Sequence, residues 1–289
     1  MNSVHIYWDE YKGVMIDEQE RDIYIRDIPQ KWLPRICDLM VENSFRTNRL
    51  YDQLKIHDIE GVEESYRHCV NHVLHNECSI MVIDEETNEI YGVALLKWMS
   101  KEWRSWTIWL QMFDTLLLFS EFMLLSRMLV LKYDEEHPEH EPNSLHLFEY
   151  YLHPTLNDDP VFMHKFFYSI LEVARHMLMP RVSFVAALLD QQQQAEAFGF
   201  HPLSHLIYSL VEDDGVRTFQ SLRDIGEMYM VLYEYPVEPI IPFYNMPPPH
   251  PYDEEDRLKH EPHTKLDGED NALSEMDSTR RSLSKLVIK

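Results

Sequence analysis

Residues 144–200 read SLHLFEYYLHPTLNDDPVFMHKFFYSILEVARHMLMPRVSFVAALLDQQQQAEAFGF, and this stretch decides the fold. Apolar runs at 144–152 and 182–188 predict two strands, and the second run is near-continuous, as expected of a strand covered on both faces. Between them, residues 161–179 carry apolar side chains at helical spacing up to Pro180, which is expected to end a helix. A short helix then closes on Phe198-Gly199-Phe200.

The flanking segments add further strands and helices. Four more segments alternate or run continuously in apolar residues, which predicts strands: 22–26, 79–83, 90–98 and 228–235. Three segments carry apolar residues at helical spacing or in long runs, which predicts helices: 32–40, 63–74 and 106–131. The polar turn between 79–83 and 90–98 indicates a hairpin, with Gly92 at a bulge. The pattern as a whole predicts an α/β protein.

Composition divides the chain into three parts. Residues 1–20 are acidic and aromatic and form an N-terminal arm, either a small strand packed on the core or a mobile segment. Residues 21–235 contain the strand and helix patterns and are expected to form one domain. Residues 236–289 are rich in proline and charge and lack apolar periodicity until the last few residues, so we expect a disordered tail.

Charge, apolar runs and cysteine content indicate which partners and which cellular location to expect. A formal net charge of −24 opposes binding to nucleic acid or to an anionic membrane surface. The long apolar run at 106–131 is interrupted by polar and charged residues, so it is not expected to cross a membrane. Three cysteines form no disulfide pattern and the N-terminus resembles no signal peptide, which together predict a cytoplasmic protein.

Three segments resemble the GCN5-related N-acetyltransferases, and particularly the insect arylalkylamine type. They are the hairpin MVIDEETNEIYGVALLKW at 81–98, the strand end His153-Pro154 and the closing Phe198-Gly199-Phe200. The resemblance covers most of residues 20–235. It implies a mixed, mostly antiparallel central sheet flanked by helices, and acetyl-CoA or another acyl-CoA as the cofactor of an active enzyme.

The loop after His153-Pro154 departs from the family pattern. Acetyltransferases of this type hold the pyrophosphate of acetyl-CoA with an arginine, glycines and backbone N–H groups at a helix start. Here the corresponding positions are Asn157, Asp158, Asp159, Pro160, Val161 and Phe162. Proline has no N–H to donate and the aspartates repel phosphate. We therefore expect a degenerate cofactor loop.

Two other interpretations of that loop are open. Its polar residues can simply cap the following helix, with proline at the first turn. Alternatively, the loop binds a different acyl donor, or CoA in an unusual way. If CoA binds, we expect Leu152 at the strand end and Val161 at the helix start to contact it.

A second family position is also changed. The insect enzymes carry a Phe-x-Asp-Glu-Pro-Leu-like motif after their first helix, and its glutamate is their proposed general base. Residues 45–50 read FRTNRL, so that Phe45 and Leu50 agree while Asn48 replaces the glutamate. An amide cannot accept a proton from an amine at neutral pH. His57 or Glu42 could substitute through water, but the sequence singles out neither.

Two further groups of residues each allow a functional and a structural interpretation. His68, His72 and His75 lie on one face of a predicted helix near Cys69 and could collect zinc. A solvated or partly buried histidine face is the simpler interpretation, and we expect no metal. Four tryptophans form either a wall for an arylalkylamine or core packing: Trp98, Trp103, Trp106 and Trp109.

The paired losses at Asn48 and at 157–162 favour one function hypothesis over another. The first is an acetyltransferase-like binding or regulatory module that is catalytically degenerate, has no cofactor and binds an unknown protein or small-molecule partner. The alternative is an active acyl-CoA-dependent N-acyltransferase acting on small amines such as arylalkylamines.

Overall fold

The computed structural model describes residues 6–99, 117–139, 143–211 and 217–238. In this part of the chain the strands are β1 (Tyr7–Ile16), β2 (Gln19–Asp27), β3 (Ile80–Asp84), β4 (Glu89–Met99), β5 (Ser144–Leu152), β6 (Arg181–Ala186), β7 (His201–Ile207) and β8 (Tyr229–Pro236). They form one sheet in the order β1-β2-β3-β4-β5-β6-β8-β7. Every neighbouring pair is antiparallel except β5 and β6, which are parallel. The mixed, mostly antiparallel sheet is confirmed.

Helices lie on both sides of this sheet. The α-helices in the described ranges are α1 (Leu33–Met40), α2 (Arg49–Gln53), α3 (Val62–Leu74), α4 (Leu117–Glu136), α5 (Pro154–Asn157), α6 (Pro160–His176) and α7 (Leu189–Phe198). A π-helical turn, Val41–Phe45, joins α1 to the segment that leads to α2. The short α7 ends at Gly199, whose φ of 108° is a conformation that side-chain-bearing residues rarely adopt.

The sheet separates two apolar cores. On one face α1, α3 and α4 pack against alternate residues of the central strands, among them Val93 and Leu95. On the other face α6 buries Phe162, Phe166 and Ile170 against residues that include Leu147. The same strands contribute to both cores, because successive side chains of a strand point to opposite faces of the sheet.

A bulge beside a glycine shapes the central strand β4. Gly92 pairs with Val82 and the next pair is Ile90 with Ile83, so Tyr91 is an extra residue in β4. The bulge expected near Gly92 is confirmed. A Cβ on Gly92 would overlap the Leu152 side chain and lie 2.9 Å from a backbone carbonyl oxygen, so the residue permits close approach of β5.

Several boundaries differ from the sequence-based expectations. Residues 7–16 form β1, an additional strand of the sheet, within a compact unit that spans Met1–Ile240. The helix predicted at 161–179 ends at His176, because Leu178 takes a left-handed conformation with φ of 57° before Pro180. The short helices α2 and α5 were not predicted, since each spans little more than one turn and shows no periodicity.

Some expectations fall on residues outside the described ranges. These are the first part of the helix predicted at 106–131, the residues Trp103, Trp106 and Trp109, and the tail beyond residue 238. Trp98 is described and is about half exposed on β4. No helix in the described ranges is long and apolar enough to cross a membrane.

Candidate functional site

A cleft opens where β5 and β6 diverge. Their pairing runs only from Leu145 opposite Val182 to Leu147 opposite Phe184, although β5 continues to Leu152. A second register shift at this point leaves Phe148 as an extra residue in β5 opposite β4. Such bulges bend a strand and redirect its side chains. The divergence therefore creates a space between two strands that are neighbours at their other end.

The cleft contains a cavity of about 330 Å³ with a polar lining. The lining residues are Asn43, Ser44, Thr47, Asn48, Arg49, Glu149, Tyr150, Tyr151, Leu152, Asn157, Leu188, Asp190, Gln191 and Gln194. They come from the segment before α2, the end of β5, the end of α5 and the start of α7. Four separate segments thus converge on one site, and three of the sequence-predicted residues, Asn48, Leu152 and Asn157, are brought together there.

Glu149 is the carboxylate on the β5 wall of this cavity. Its two oxygens accept hydrogen bonds from the Ser44 hydroxyl and from the Tyr66 hydroxyl, the latter at 2.7 Å. Burial raises the pKa of Glu149, and the two hydrogen bonds counteract that rise only in part. A carboxylate with a raised pKa in a cavity is a suitable proton acceptor for a bound amine. Glu149 is therefore the best-placed candidate base in the described structure.

A smaller pocket of about 70 Å³ continues inward and shares Asn48 and Glu149 with the outer cavity. Its wall includes His146, which is buried and whose Nδ1 lies 2.9 Å from the Ser183 hydroxyl. Burial and the nearby Lys97 lower the pKa of His146 to about 4. The imidazole is therefore neutral at pH 7.

The start of α6 is closed by its own sequence. The carboxylate oxygen Oδ1 of Asp159 accepts hydrogen bonds from the backbone N–H groups of Val161 at 2.9 Å and Phe162 at 3.3 Å. Pro160 supplies no N–H. The helix-capping interpretation is thus confirmed for Asp159. The Val161 and Phe162 N–H groups at this helix start are thus already bound by a side chain of the same loop.

The N-terminal hairpin, which β1 and β2 form, holds Asp159 from outside the loop. Tyr11 on β1 donates a hydrogen bond of 2.8 Å to the second carboxylate oxygen of Asp159, and its ring packs against Phe162. Lys165 on α6 forms an ion pair of 2.8 Å with Asp9 on the same strand. Two contacts from β1 therefore hold the first turns of α6. Phe162 is fully buried in the core beneath this turn and does not fill the cleft.

The remaining loop residues have other roles. Asn157 does not cap α6: its side-chain oxygen accepts a hydrogen bond of 3.1 Å from Gln194 on α7. Gln194 in turn accepts from the hydroxyl of Tyr150 on β5. This chain of contacts links β5, α5 and α7 across the cleft. Asp158 and Val161 are exposed, and Leu152 lines the cavity as the residue at the strand end.

Asn48 caps α2, because its side-chain oxygen accepts a hydrogen bond of 2.9 Å from the Leu50 N–H. Its neighbour Arg49 lies 2.5 Å from the buried carboxylate of Glu227 and 3.3 Å from Asp190. Glu227 also accepts a hydrogen bond from the Leu189 N–H at the start of α7. These contacts join α2 to α7 and set the width of the cavity.

The alternative bases considered from the sequence lie elsewhere. His57 makes a 2.8 Å contact with the Phe45 carbonyl oxygen, and Glu42 pairs with Arg46 at the surface. Neither lines the cavity. Among the described residues, no group of histidine, cysteine, aspartate or glutamate side chains is arranged to hold a metal ion.

Known structures with a similar arrangement of strands and helices include acetyltransferases and a condensation domain. Arylalkylamine N-acetyltransferase 2 from Aedes aegypti superposes with a TM-score of 0.62 at 15% sequence identity, covering 75% of this chain and 99% of that one. The polyamine N-acetyltransferase of Drosophila melanogaster gives a TM-score of 0.60 at 12% identity, covering 74% and 100%. The chain has the GCN5-related N-acetyltransferase fold.

One further solved structure is similar, whereas two comparisons at the level of sequence found no match. The C-terminal condensation domain of Ebony, in complex with beta-alanyl-dopamine, superposes with a TM-score of 0.53 at 19% identity, covering 75% of this chain and 100% of that domain. No protein-family model matches the sequence. No curated protein matches it either. The likeness is therefore one of architecture, at sequence identities that establish the fold alone.

Glu149 is the site residue that sequence analysis missed. In SLHLFEYYL it looked like an ordinary polar position of a strand. The available signal was its setting, because a single carboxylate lies between Phe148 and Tyr150 in an otherwise largely apolar strand.

Proposed function

We propose that this protein is an acetyltransferase-fold binding or regulatory module that does not use acetyl-CoA as a cofactor. One observation carries the proposal: the Asp159 carboxylate accepts the hydrogen bonds of the Val161 and Phe162 N–H groups at the start of α6. A pyrophosphate at this helix start would have to displace that carboxylate and would meet its charge at close range. Each close pair of like charges costs on the order of 1 kcal/mol in water and several at a lower effective dielectric.

The contacts around the loop support the same proposal. Tyr11 holds Asp159 in its capping position, and Asn157 is engaged by Gln194. Asn48 replaces the family's general base and serves as a helix cap. Asn48, Asn157 and Asp159 thus each have a structural role in this chain.

Calorimetric titration of the full-length protein with acetyl-CoA tests the proposal. We expect no binding in the micromolar range. The variant Asn157→Arg/Asp158→Gly/Pro160→Gly restores the family residues, and adding Asp159→Ala also frees the two N–H groups. Affinity should rise from wild type to the triple variant and again to the quadruple variant. Glu86→Gln, on the exposed turn between β3 and β4, is the control for a simple loss of negative charge.

Micromolar binding of acetyl-CoA by the wild-type protein would contradict the proposal directly. Equal affinities for the triple and quadruple variants would show that Asp159 does not block the helix start.

Glu149 favours a second function, an active acyl-CoA-dependent N-acyltransferase acting on small amines such as arylalkylamines. Its carboxylate lines the cavity in the cleft, and its raised pKa suits proton abstraction from an ammonium group. Turnover assays over a panel of amines and acyl-CoA donors test this function. Activity that disappears in Glu149→Gln and survives in Glu86→Gln would establish it. A folded protein that is inactive across the panel would exclude these substrates.

A further inference from the structure

We infer that the cleft binds a short peptide-like ligand, inserted with its free amino group toward Glu149. The inference deepens the proposed function, on which it rests, by naming the class of ligand that occupies the cavity. Three properties of the described residues support it: an open strand edge, an uncompensated carboxylate and an opposite wall of carboxamides.

The open strand edge belongs to β5. Among the described strands, none pairs with the β6-facing edge of β5 beyond Leu147, while residues 149–152 remain paired with β4 on the other edge. In such a strand, alternate backbone N–H and C=O groups point away from the existing partner. An extended peptide can add to an open edge through main-chain hydrogen bonds. The cavity of about 330 Å³ lies along this edge and has room for a small ligand.

The charge balance of the cavity calls for a cation at Glu149. Arg49 is the one cationic side chain among the lining residues, and it is matched by Glu227 at 2.5 Å and by Asp190 at 3.3 Å. The two hydrogen-bond partners of Glu149, Ser44 and Tyr66, are neutral hydroxyl groups. A bound ammonium group would therefore supply the charge that Glu149 lacks.

The wall opposite β5 carries carboxamides. Gln191 uses its side-chain oxygen to accept from the Leu188 N–H, and Asn48 uses its oxygen to cap α2. Among the described residues, the amide nitrogen of each has no hydrogen-bond partner. Both residues line the outer cavity and the inner pocket. They present donors suited to the carbonyl groups of a peptide, whereas an aromatic ring would leave them unpaired.

Calorimetric titration with matched small molecules tests the ligand class. Glycylglycinamide carries the proposed amino group and amides. Phenethylamine has the same charge and number of non-hydrogen atoms but no amide. N-acetylglycinamide has amides but no charge, and glycylsarcosinamide has a methyl group in place of one amide hydrogen. We expect glycylglycinamide to bind at least about tenfold more tightly than each of the other three, because sites built for hydrogen bonds discriminate strongly against analogues that lack them.

Protein variants give an independent test. Glu149→Gln should weaken glycylglycinamide binding by about tenfold or more, since one charge-assisted contact is lost. The control Glu86→Gln should bind like wild type. Circular dichroism spectra identify any variant that fails to fold, and the ligand series on the wild-type protein does not depend on the variants.

Three outcomes would overturn the inference: equal or tighter binding of phenethylamine, unchanged affinity in Glu149→Gln, or no binding of glycylglycinamide at millimolar concentration. None of these concerns acetyl-CoA. A failure of the ligand class is therefore distinct from a failure of the proposed function, which micromolar binding of acetyl-CoA would contradict.

Discussion

Replacing Asp159 tests whether the start of α6 depends on an internal carboxylate. Asp159→Ala removes the cap on the Val161 and Phe162 N–H groups and the acceptor of the Tyr11 hydroxyl. Loss of an N-cap costs about 0.5–2 kcal/mol, and loss of one hydrogen bond costs about 0.5–1.5 kcal/mol. The free energy of unfolding should therefore fall by about 1–3 kcal/mol. A loss of about 2 kcal/mol lowers Tm by roughly 4–8 °C in a domain of this size.

Two companion variants separate the contributions. Asp159→Asn keeps an oxygen that can cap the helix, and asparagine is as good a cap as aspartate, so it should cost about 1 kcal/mol or less. Tyr11→Phe removes only the hydroxyl and should cost about 0.5–1.5 kcal/mol. The double variant Tyr11→Phe/Asp159→Ala should lose less than the sum of the two single losses, because both singles break the same contact.

Urea unfolding followed by circular dichroism and tryptophan fluorescence measures these differences. The reasoning would be refuted if Asp159→Ala stayed within about 0.5 kcal/mol of wild type, the range typical of surface substitutions. It would also fail if Asp159→Asn were as destabilised as Asp159→Ala. In that case the negative charge, and not the capping oxygen, would be the important property.

Three further predictions concern stability. Because burial holds the pKa of His146 near 4, the unfolded chain binds more protons than the native protein between about pH 6.5 and 4, so stability should fall on acidification in that range. His146→Gln should reduce the slope of the urea-unfolding free energy against pH by up to about 1.4 kcal/mol per pH unit. An unchanged slope would contradict this. Gly92→Ala should lower the free energy of unfolding in urea by at least about 1 kcal/mol, because its Cβ would overlap the Leu152 side chain. An unchanged free energy would show that β5 can shift. Glu227→Ala should cost about 1–3 kcal/mol by leaving Arg49 with one partner fewer and the Leu189 N–H without its acceptor, and a change below about 0.5 kcal/mol in thermal or urea unfolding would argue against that role.

The sequence predicted the architecture well because its signals are local. The strand at 144–152 and the apolar face of α6 follow directly from residue periodicity. The cap at α6 was also accessible, since aspartate before proline is a typical helix start. Each of these patterns lies within one continuous segment, and it can be interpreted without knowing what that segment packs against.

The site was less predictable because its geometry depends on contacts between distant segments. Glu149 meets Ser44 and Tyr66 across separations of 105 and 83 residues, and no periodicity encodes those meetings. The divergence of β5 and β6 begins beside a bulge at Phe148, which has no glycine to mark it. The role of Gln194 as a link across the cleft follows from the placement of α7, and not from its glutamine-rich sequence.

The N-terminal hairpin has a consequence for synthesis on the ribosome. Asp159 leaves the ribosome 148 residues after its partner Tyr11, and Lys165 leaves 156 residues after its partner Asp9. At translation rates of about 5–20 residues per second, the hairpin would wait roughly 7–30 seconds for these contacts, and an isolated hairpin is at best marginally stable in water. During that interval β1 would lack its contacts with α6, although its partner β2 and the next strand β3 would already have been made, and it would be exposed to chaperones and proteases.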